Sequence, residues 1–496
     1  MYTREEAKAI VDKVLNMAKA DSAEVNLSGG ERSGTRWANS SITTNLVQYD
    51  RQVTATLRVG QKQGSANTRD FSDAGLKKMV DEALENAQKA NDNPNLPALL
   101  GAQEYIPVDA ALPDMVRFGP GERARMVKDS IDLAEKAGVL GAGFIPKQDI
   151  TTVNANSKGL FAYYRAAEAS FILTCRMPDG TGSGFACTTG IKDVRMIDAK
   201  ALTQVASDKA RKSRNAKAIE PGRYTVILEP RANARFLSLM TNIFNPQGGF
   251  GGFGGGGGGQ PGGDNPPPGG GAPDTPPTAG AGDAPGVFGR GGGRGGGGGG
   301  GGGLGLNSGP GSVAHWMKDK KPGDKIFSDL FSLRSDIGNA TLRQTPVMND
   351  NKPAKPVQWV EKGILRALNP GQPANVNMSL VLQGSNLSTE EMIKQTRRGL
   401  LVTSFWYIRG VPSQEQALLS TGMTRDGLFL IENGEIVAPV QNFRWNMSPL
   451  VAYNNLTLVG KPVPMDMGEA FGASNAALVP PVRIEEFYMT SVSPAV

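Results

Sequence analysis

Imidazole and thiol chemistry is nearly missing from this chain of 496 residues, which holds one histidine, His315, and two cysteines, Cys175 and Cys187. Hydrolytic zinc sites take two or three imidazoles at fixed spacing, so a lone histidine supplies neither HExxH nor HExxxH. The same shortage argues against a Ser-His-Asp triad, and no serine stands in a G-x-S-x-G frame. The phosphate-cradling loop G-x-x-x-x-G-K-[ST] is absent, and no G-x-G-x-x-G follows a strand outside a low-complexity tract. A carboxylate-only Mg²⁺ or Ca²⁺ site stays open, although no Asp/Glu spacing has the EF-hand form. His315 precedes Trp316 beside the low-complexity tract and reads as structural or exposed, with substrate or partner contact as the alternative. Cys175 and Cys187 are equidistant from Thr181, next to the turn signal Pro178-Asp179-Gly180. A symmetric hairpin would set them facing across two strands, as buried free thiols or as a redox or metal pair. Glu432 and Glu435 straddle Asn433-Gly434 and read as exposed hairpin carboxylates before they read as an acid/base couple.

The segment 247–312 is dominated by Gly and Pro, cannot bury apolar surface, and is expected to be a disordered insertion. Roughly 430 residues remain, enough for two cores. An insertion inside a folded domain is tolerable, because lengthening a loop from about eight to about 65 residues adds only about 2 kcal/mol of closure entropy. Net charge is +6, with no block of five or six Lys/Arg. That is an ordinary surface and not a phosphate-binding stripe. Arg290 and Arg294 give the insertion a faint RGG flavour, but Asp264, Asp274 and Asp283 cancel it, so nucleic acid is not an expected partner. No run reaches the roughly 18 apolar residues of a membrane span. The sequence opens on an amphipathic helix with no signal-peptide pattern, and two cysteines do not make a secreted disulfide scaffold. A cytoplasmic protein is expected.

The elements that would position any site can be read in order. Thr3-Arg4-Glu5-Glu6 has capping-box form, followed by an apolar face of Ala7, Ile10, Val11 and Val14. Strands are predicted at 23–27 and 53–59, and helices at about 72–90 and 122–137, the last closed by Gly138. Short strands and turns are expected over 143–190, then a helix near 198–214. After Pro221 a strand over 224–228 leads into a helix from Pro230 to about Phe244. Beyond the insertion we expect a short helix over 315–318, a strand-like 324–333, and a helix over 389–398 ended by Gly399. A strand over 400–408 and a hairpin turning on Asn433-Gly434 follow. The fold class is therefore α+β: N-terminal helices packed on an antiparallel sheet over residues 1–215, then a β-rich domain over 216–246 and 313–496.

Several stretches resemble the TldD/PmbA family, also called modulators of DNA gyrase. Arg36-Trp37-Ala38-Asn39-Ser40-Ser41-Ile42 is similar to the family's R-x-A-N-S-x-I, and Leu57-Arg58-Val59-Gly60 and Gly64-Ser65-Ala66 follow it in the family's order. Pro221-Gly222-Arg223-Tyr224 running into Val226-Ile227-Leu228-Glu229-Pro230 resembles the strand before the family's central helix. Arg398-Gly399-Leu400-Leu401-Val402-Thr403 is close to G-L-x-V-T, and the run 426–440 is close to G-x-x-I-E-N-G-E-I-x-x-P-V. Gly323-Asp324-Lys325-Ile326-Phe327-Ser328 fits as well.

The resemblance implies paired subunits enclosing a cavity for extended peptides. In TldD-type subunits the central helix carries HExxxH and a later Cys completes a zinc site. Here Ser238, Leu239 and Ile243 fall on those positions and no Cys follows, so the chain resembles the TldE/PmbA branch. The implied role is a non-catalytic subunit with no cofactor, partnered by a TldD-like metalloprotease chain as a heterodimer, or by itself as a homodimer, and holding an extended peptide. Strand edges at 400–408 and 428–440 could hold that peptide by main-chain pairing. Arg397, Arg398, Arg409 and His315 are the candidate contacts to substrate or partner, with solvated surface charge as the alternative for each Arg. Two other readings stay open: an active metallopeptidase with an unrecognised metal site, and a scaffold or binding protein.

Deleting residues 250–305 is expected to leave the fold intact. A large fall in melting temperature, followed by circular dichroism, would contradict the reading of this tract as a tolerated insertion.

Overall fold

A computed structural model describes residues 1–244, 312–343, 345–368, 379–468 and 476–493 of the chain. The expected insertion at 247–312 lies outside the described residues except for Ser312, which caps the helix that follows.

The N-terminal part builds one six-stranded antiparallel sheet from β1 (Ser22–Ala38), β2 (Ser41–Val59), β3 (Lys62–Thr68), β4 (Leu140–Asn156), β5 (Phe161–Arg176) and β6 (Ser183–Ile191), in the order β3-β2-β1-β4-β5-β6. Helices α1 (Arg4–Met17), α2 (Asp73–Lys89), α3 (Pro113–Arg117), α4 (Pro120–Lys136) and α5 (Ala199–Lys212) accompany it. The capping box of α1 is formed: Glu6 N donates to Thr3 Oγ1 at 3.2 Å and Thr3 N donates to Glu6 Oε2 at 2.8 Å. Gly138 takes φ +70° after α4, as a left-handed helix stop requires. Ala7, Val11 and Val14 of α1 and Leu76, Met79 and Val80 of α2 pack on Val25, Leu27, Val53 and Leu57. A second apolar layer joins α4 and α5 to Trp37, Phe171 and Leu173. Helix and sheet approach so closely that a Cβ on Gly64 would lie 2.0 Å from Ala87 N, and one on Gly184 2.2 Å from Ala206 O.

The remainder builds two sheets. One runs β12-β7-β19-β15-β13-β14, from β7 (Gly222–Leu228), β12 (Arg398–Gly410), β13 (Ser420–Glu432), β14 (Glu435–Pro439), β15 (Phe443–Met447) and β19 (Val482–Val492), with β16 (Leu456–Val459) added on β19. Because β12 pairs with β13 as well as β7, five of these strands close into a ring. The other sheet is built from β8 (Leu333–Ser335), β9 (Val357–Glu361), β10 (Ile364–Leu365), β11 (Leu380–Leu382), β17 (Val463–Asp466) and β18 (Ala476–Val479). Helix α6 (Pro230–Ser238) lies between them, and the short helices α7 (Val313–Met317), α8 (Thr389–Lys394) and α9 (Pro449–Ala452) complete the set. The α+β class is as the sequence implied. Among the described residues no helix is long and apolar enough to cross a membrane.

Several expectations need correction. The short strands expected over 143–190 are two strands of 17 and 16 residues and one of nine, which run straight through Gly143 and Pro146. Of the strand-like 324–333 only its last residue, Leu333, enters a strand, as the first residue of β8. The segment's apolar side chains Ile326, Phe327 and Phe331 are buried while the backbone bonds out of register, Ser328 N to Tyr453 O and Gly363 N to Phe331 O. Helix α8 stops at Lys394, and Arg398 and Gly399 already pair in β12 with Glu432 and Ile431. The chain turns into the sheet there because Gly399 passes the backbone of β7, where a Cβ would lie 2.6 Å from Thr225 O. Helix α6 ends at Ser238, and a 3₁₀ turn over Thr241–Phe244 replaces its expected last turn.

The cysteines do not face each other. Cys175 opposes Gly184 and Cys187 opposes Ile172, because the hairpin turns about Asp179-Gly180 and not about Thr181. Both thiols are free, and burial pushes each up to about 11. Maleimide should therefore leave both unmodified in the folded chain at pH 7 and label both in denaturant, as read by intact mass. Rapid native labelling of Cys175 would contradict its burial.

Candidate functional site at the central helix

The central helix is set by what surrounds it. Strand β7 runs parallel to β12 and antiparallel to β19, so its side chains Val226 and Leu228 are fully buried. The chain leaves the sheet at Glu229, whose N–H still donates to Val402 O at 2.9 Å. Pro230 then opens α6 at a first-turn position where its missing N–H costs nothing. Every residue from Arg231 to Ser238 is buried. Phe236 packs among Phe405, Trp445, Tyr453 and Phe487 with ring centroids 5.7–6.2 Å away.

The degenerate motif positions are part of this core. Ser238 turns back to donate its hydroxyl to Arg235 O at 2.7 Å. Leu239 and Ile243 belong to the apolar cluster, Ile243 with no exposed surface. Ser238 lies on α6 and Ile243 in the 3₁₀ turn beyond it, so no continuous helix carries all three. Leu and Ile have no donor atoms, and these positions do not fit a zinc ion. Among the described residues no three His, Cys, Asp or Glu side chains gather where an ion could be held.

What surrounds α6 instead is a buried polar network that sequence reasoning missed. Arg231 donates to Asp466 O at 2.7 Å and Gly468 O at 3.0 Å, and Arg235, one turn on, donates to Met467 O at 3.0 Å. Asn233 donates to Pro480 O at 2.8 Å and accepts from the Tyr453 hydroxyl at 2.9 Å. Behind it the N-terminal sheet contributes charge. Lys209 of α5 meets Glu229 at 2.6 Å, and Arg343 meets Glu168 of β5 at 3.3 Å. Gln148 also donates to Glu168, whose Oε2 is buried without a partner among the described residues. The Asp466 N–H donates to Thr189 Oγ1 of β6 at 2.5 Å, and Ser183 donates to Asp426 at 2.6 Å. The only sequence signal was the Arg231/Arg235 spacing of four; the other members are far apart in the chain.

Burial lifts the Asp466 carboxyl to about 6, opposed by the Gly468 N–H and by Arg231 and Arg235 and reinforced by Glu168. Burial works against the charge of Arg343, but Glu168, Tyr164 and Asp466 outweigh it and raise its pKa. The arrangement offers charge and hydrogen bonds. Neither the imidazole nor the thiols add a ready nucleophile or base to it: His315 is exposed on α7 and both thiols are pushed up.

The four candidate contact residues do not converge. Arg397 and Arg398 are exposed at the start of β12, where Arg398 Nε stands 3.9 Å from Glu432. Arg409 is exposed at its far end, over the Tyr407 ring at 4.5 Å, roughly 35 Å along the strand. Glu432 and Glu435 oppose each other across the Asn433-Gly434 turn, where both central residues have positive φ.

Comparison with known proteins adds to this geometry. The family model described as PmbA/TldA metallopeptidase domain 1 matches residues 23–87, and that of the PmbA/TldA metallopeptidase C-terminal domain matches 369–491. The fold is similar to TldE from Thermococcus kodakarensis at a TM-score of 0.71 and 14% identity, covering 97% of this chain and 100% of that one. A modulator-of-DNA-gyrase protein from Thermotoga maritima gives 0.70 at 15% identity, with 97% and 99% covered. One from Bacteroides thetaiotaomicron gives 0.70 at 15%, with 99% and 100% covered. No curated protein matches by sequence.

Because Asp466 titrates near 6 when folded and near the ordinary carboxylate value when unfolded, folding takes up a proton between about pH 4 and 6. Its contribution is most favourable below that window and is lost as pH rises through it. Asp466→Asn should therefore gain about 2 kcal/mol relative to the parent between pH 4.5 and 7, read from urea unfolding. A difference that stays constant with pH would contradict the raised carboxyl.

Proposed function

We propose that this chain, which belongs to the PmbA/TldD family, is the non-catalytic, TldE-like half of a peptide-processing metalloprotease. Its part is to complete a substrate chamber with a zinc-bearing TldD-like subunit in the cytoplasm. The observation that carries this reading is the filling of the metal-motif positions by Ser238, Leu239 and Ile243, all packed into the core around α6. An imidazole at Ile243 would have to displace fully buried apolar contacts before it could reach an ion. No step of hydrolysis is therefore assigned to this chain.

Its own residues would build the wall and hold the peptide. Residues 1–215 and the pair 216–246 with 313–496 act as two units in this proposal, joined by the buried network at α6. Strand β12 pairs on both sides at Leu400–Val402, which leaves those residues no edge for a peptide. Lys217 N already donates to Pro439 O at the end of β14, but among the described residues no strand pairs with its outer side at exposed Ile436 and Val437, which makes that stretch the better place for main-chain pairing.

The test is reconstitution with an HExxxH-bearing relative, first sought in the adjacent reading frame. Peptide hydrolysis should require both chains, and mutating HExxxH in the relative should abolish it. Chelator-sensitive hydrolysis by this chain alone would overturn the proposal, and failure to bind any such relative would favour a scaffold.

A further inference from the structure

We infer that the outward face of β12, β13 and β15 is a docking surface for an acidic segment of a partner protein. The inference rests on this face alone and is independent of the peptidase reading. These strands turn Phe405, Trp445 and Met447 inward, to the core around Phe236. Alternation then sends Trp406, Met423, Arg425 and Arg444 outward. Trp406 opposes Met423 and Met423 opposes Arg444, so the three stand in one row across the sheet. Trp406 and Met423 are half-buried and Arg444 is exposed, so the row is not sealed from solvent.

A bulge adds one more ring to this face. Between the pairs Trp406–Met423 and Arg409–Thr421, β12 carries two residues, Tyr407 and Ile408, where β13 carries only Gly422. Ile408 turns into the apolar core, and Tyr407 is left 47% exposed with φ +53°. The left-handed region is unfavourable for a bulky aromatic residue, so the backbone is strained where it re-aims that ring outward.

Charge selects the occupant. The stretches 404–410, 420–425 and 443–447 hold three arginines, Arg409, Arg425 and Arg444, and no lysine, aspartate or glutamate. Arg409 lies over the Tyr407 ring at 4.5 Å, and its Nη1 donates to Ile408 O at 2.7 Å. Arg425 lies over the Trp406 ring at 4.7 Å. Stacking holds both guanidiniums in place before anything binds. Asp426, the next residue of β13, stands 3.8 Å from Arg425 Nε and accepts from Ser183, so it offsets one of the three charges. By strand spacing the three arginines are set roughly 8–14 Å apart, and an extended chain with carboxylates at alternate residues presents them roughly every 7 Å. Such a segment meets the excess cations with charge-assisted hydrogen bonds. A nucleic-acid strand fits less well, because Trp406 and Tyr407 each already carry a guanidinium on a face that a base would stack on.

The experiment titrates a fluorescein-labelled peptide of alternating Glu and Thr, about ten residues long, with the full chain at about 50 mM salt and follows anisotropy. The parent should bind with a Kd at or below about 100 μM, and about tenfold more weakly at about 500 mM salt. Arg409→Gln with Arg444→Gln should weaken binding about tenfold or more. Arg397→Gln with Arg398→Gln, at the other end of β12, should change it by less than about twofold. All four positions are exposed, so the fold should stand, and circular dichroism checks that it does. Tyr407→Gly, which suits the left-handed backbone and removes the ring, should weaken binding about threefold. No binding by the parent at about 100 μM would overturn the inference. Equal losses from the two arginine pairs, or tighter binding of an oligothymidylate of similar length, would overturn it as well.

Discussion

Burial of α6 on every side is the constraint from which the rest of the structure follows. A helix with no exposed face has room for apolar side chains and for polar ones whose every bond is supplied from within. Phe236 and Leu237 meet the first requirement. Arg231, Asn233 and Arg235 meet the second by bonding the main chain at Asp466–Gly468 and Pro480. The second strand pair of the β-rich part, β17 and β18, is thereby pinned to the helix that β7 delivers. A metal ion with its coordinated water needs an open side, and this helix has none to give.

The same network joins the N-terminal sheet to the β-rich part. Lys209 to Glu229, Arg343 to Glu168, Asp466 to Thr189 and Ser183 to Asp426 all cross that junction. Buried ion pairs contribute little net stability, since desolvation offsets most of their attraction, but breaking one partner leaves a charge stranded. Their effect here is on registry: a small slip between the two parts would strand Glu168 or Arg343. The raised Asp466 carboxyl shows the cost being carried at one point of that junction.

Much of this was legible in the sequence where a local rule decides the outcome. The Thr3–Glu6 box, the Gly138 stop and the Asn433-Gly434 turn needed only their own residues, and the structure forms all three. The sequence pattern located α1, α2, α4 and α5 to within a few residues, the first two by their apolar faces. The resemblance to the PmbA/TldD family was carried by short motifs, and the family and fold comparisons support that recognition. Failures came where tertiary packing overrides local preference. Before Leu333 the apolar run buries Ile326, Phe327 and Phe331 without placing them in a ladder. Arg398 follows helix-like sequence but is claimed by β12. The cysteine register depended on a one-residue choice of turn centre. The network around α6 was invisible because Glu168, Arg343 and Asp466 come together only when three separate segments fold.

The central claim is that the chain's own side chains cannot hold a hydrolytic zinc ion, and its most direct test is metal stoichiometry. The purified chain, loaded with zinc and then dialysed against a weak chelator, would be measured by inductively coupled plasma mass spectrometry. The account predicts zinc well below about one-tenth of an equivalent per chain. About one tightly held equivalent, retained by this polypeptide without any partner, would contradict it.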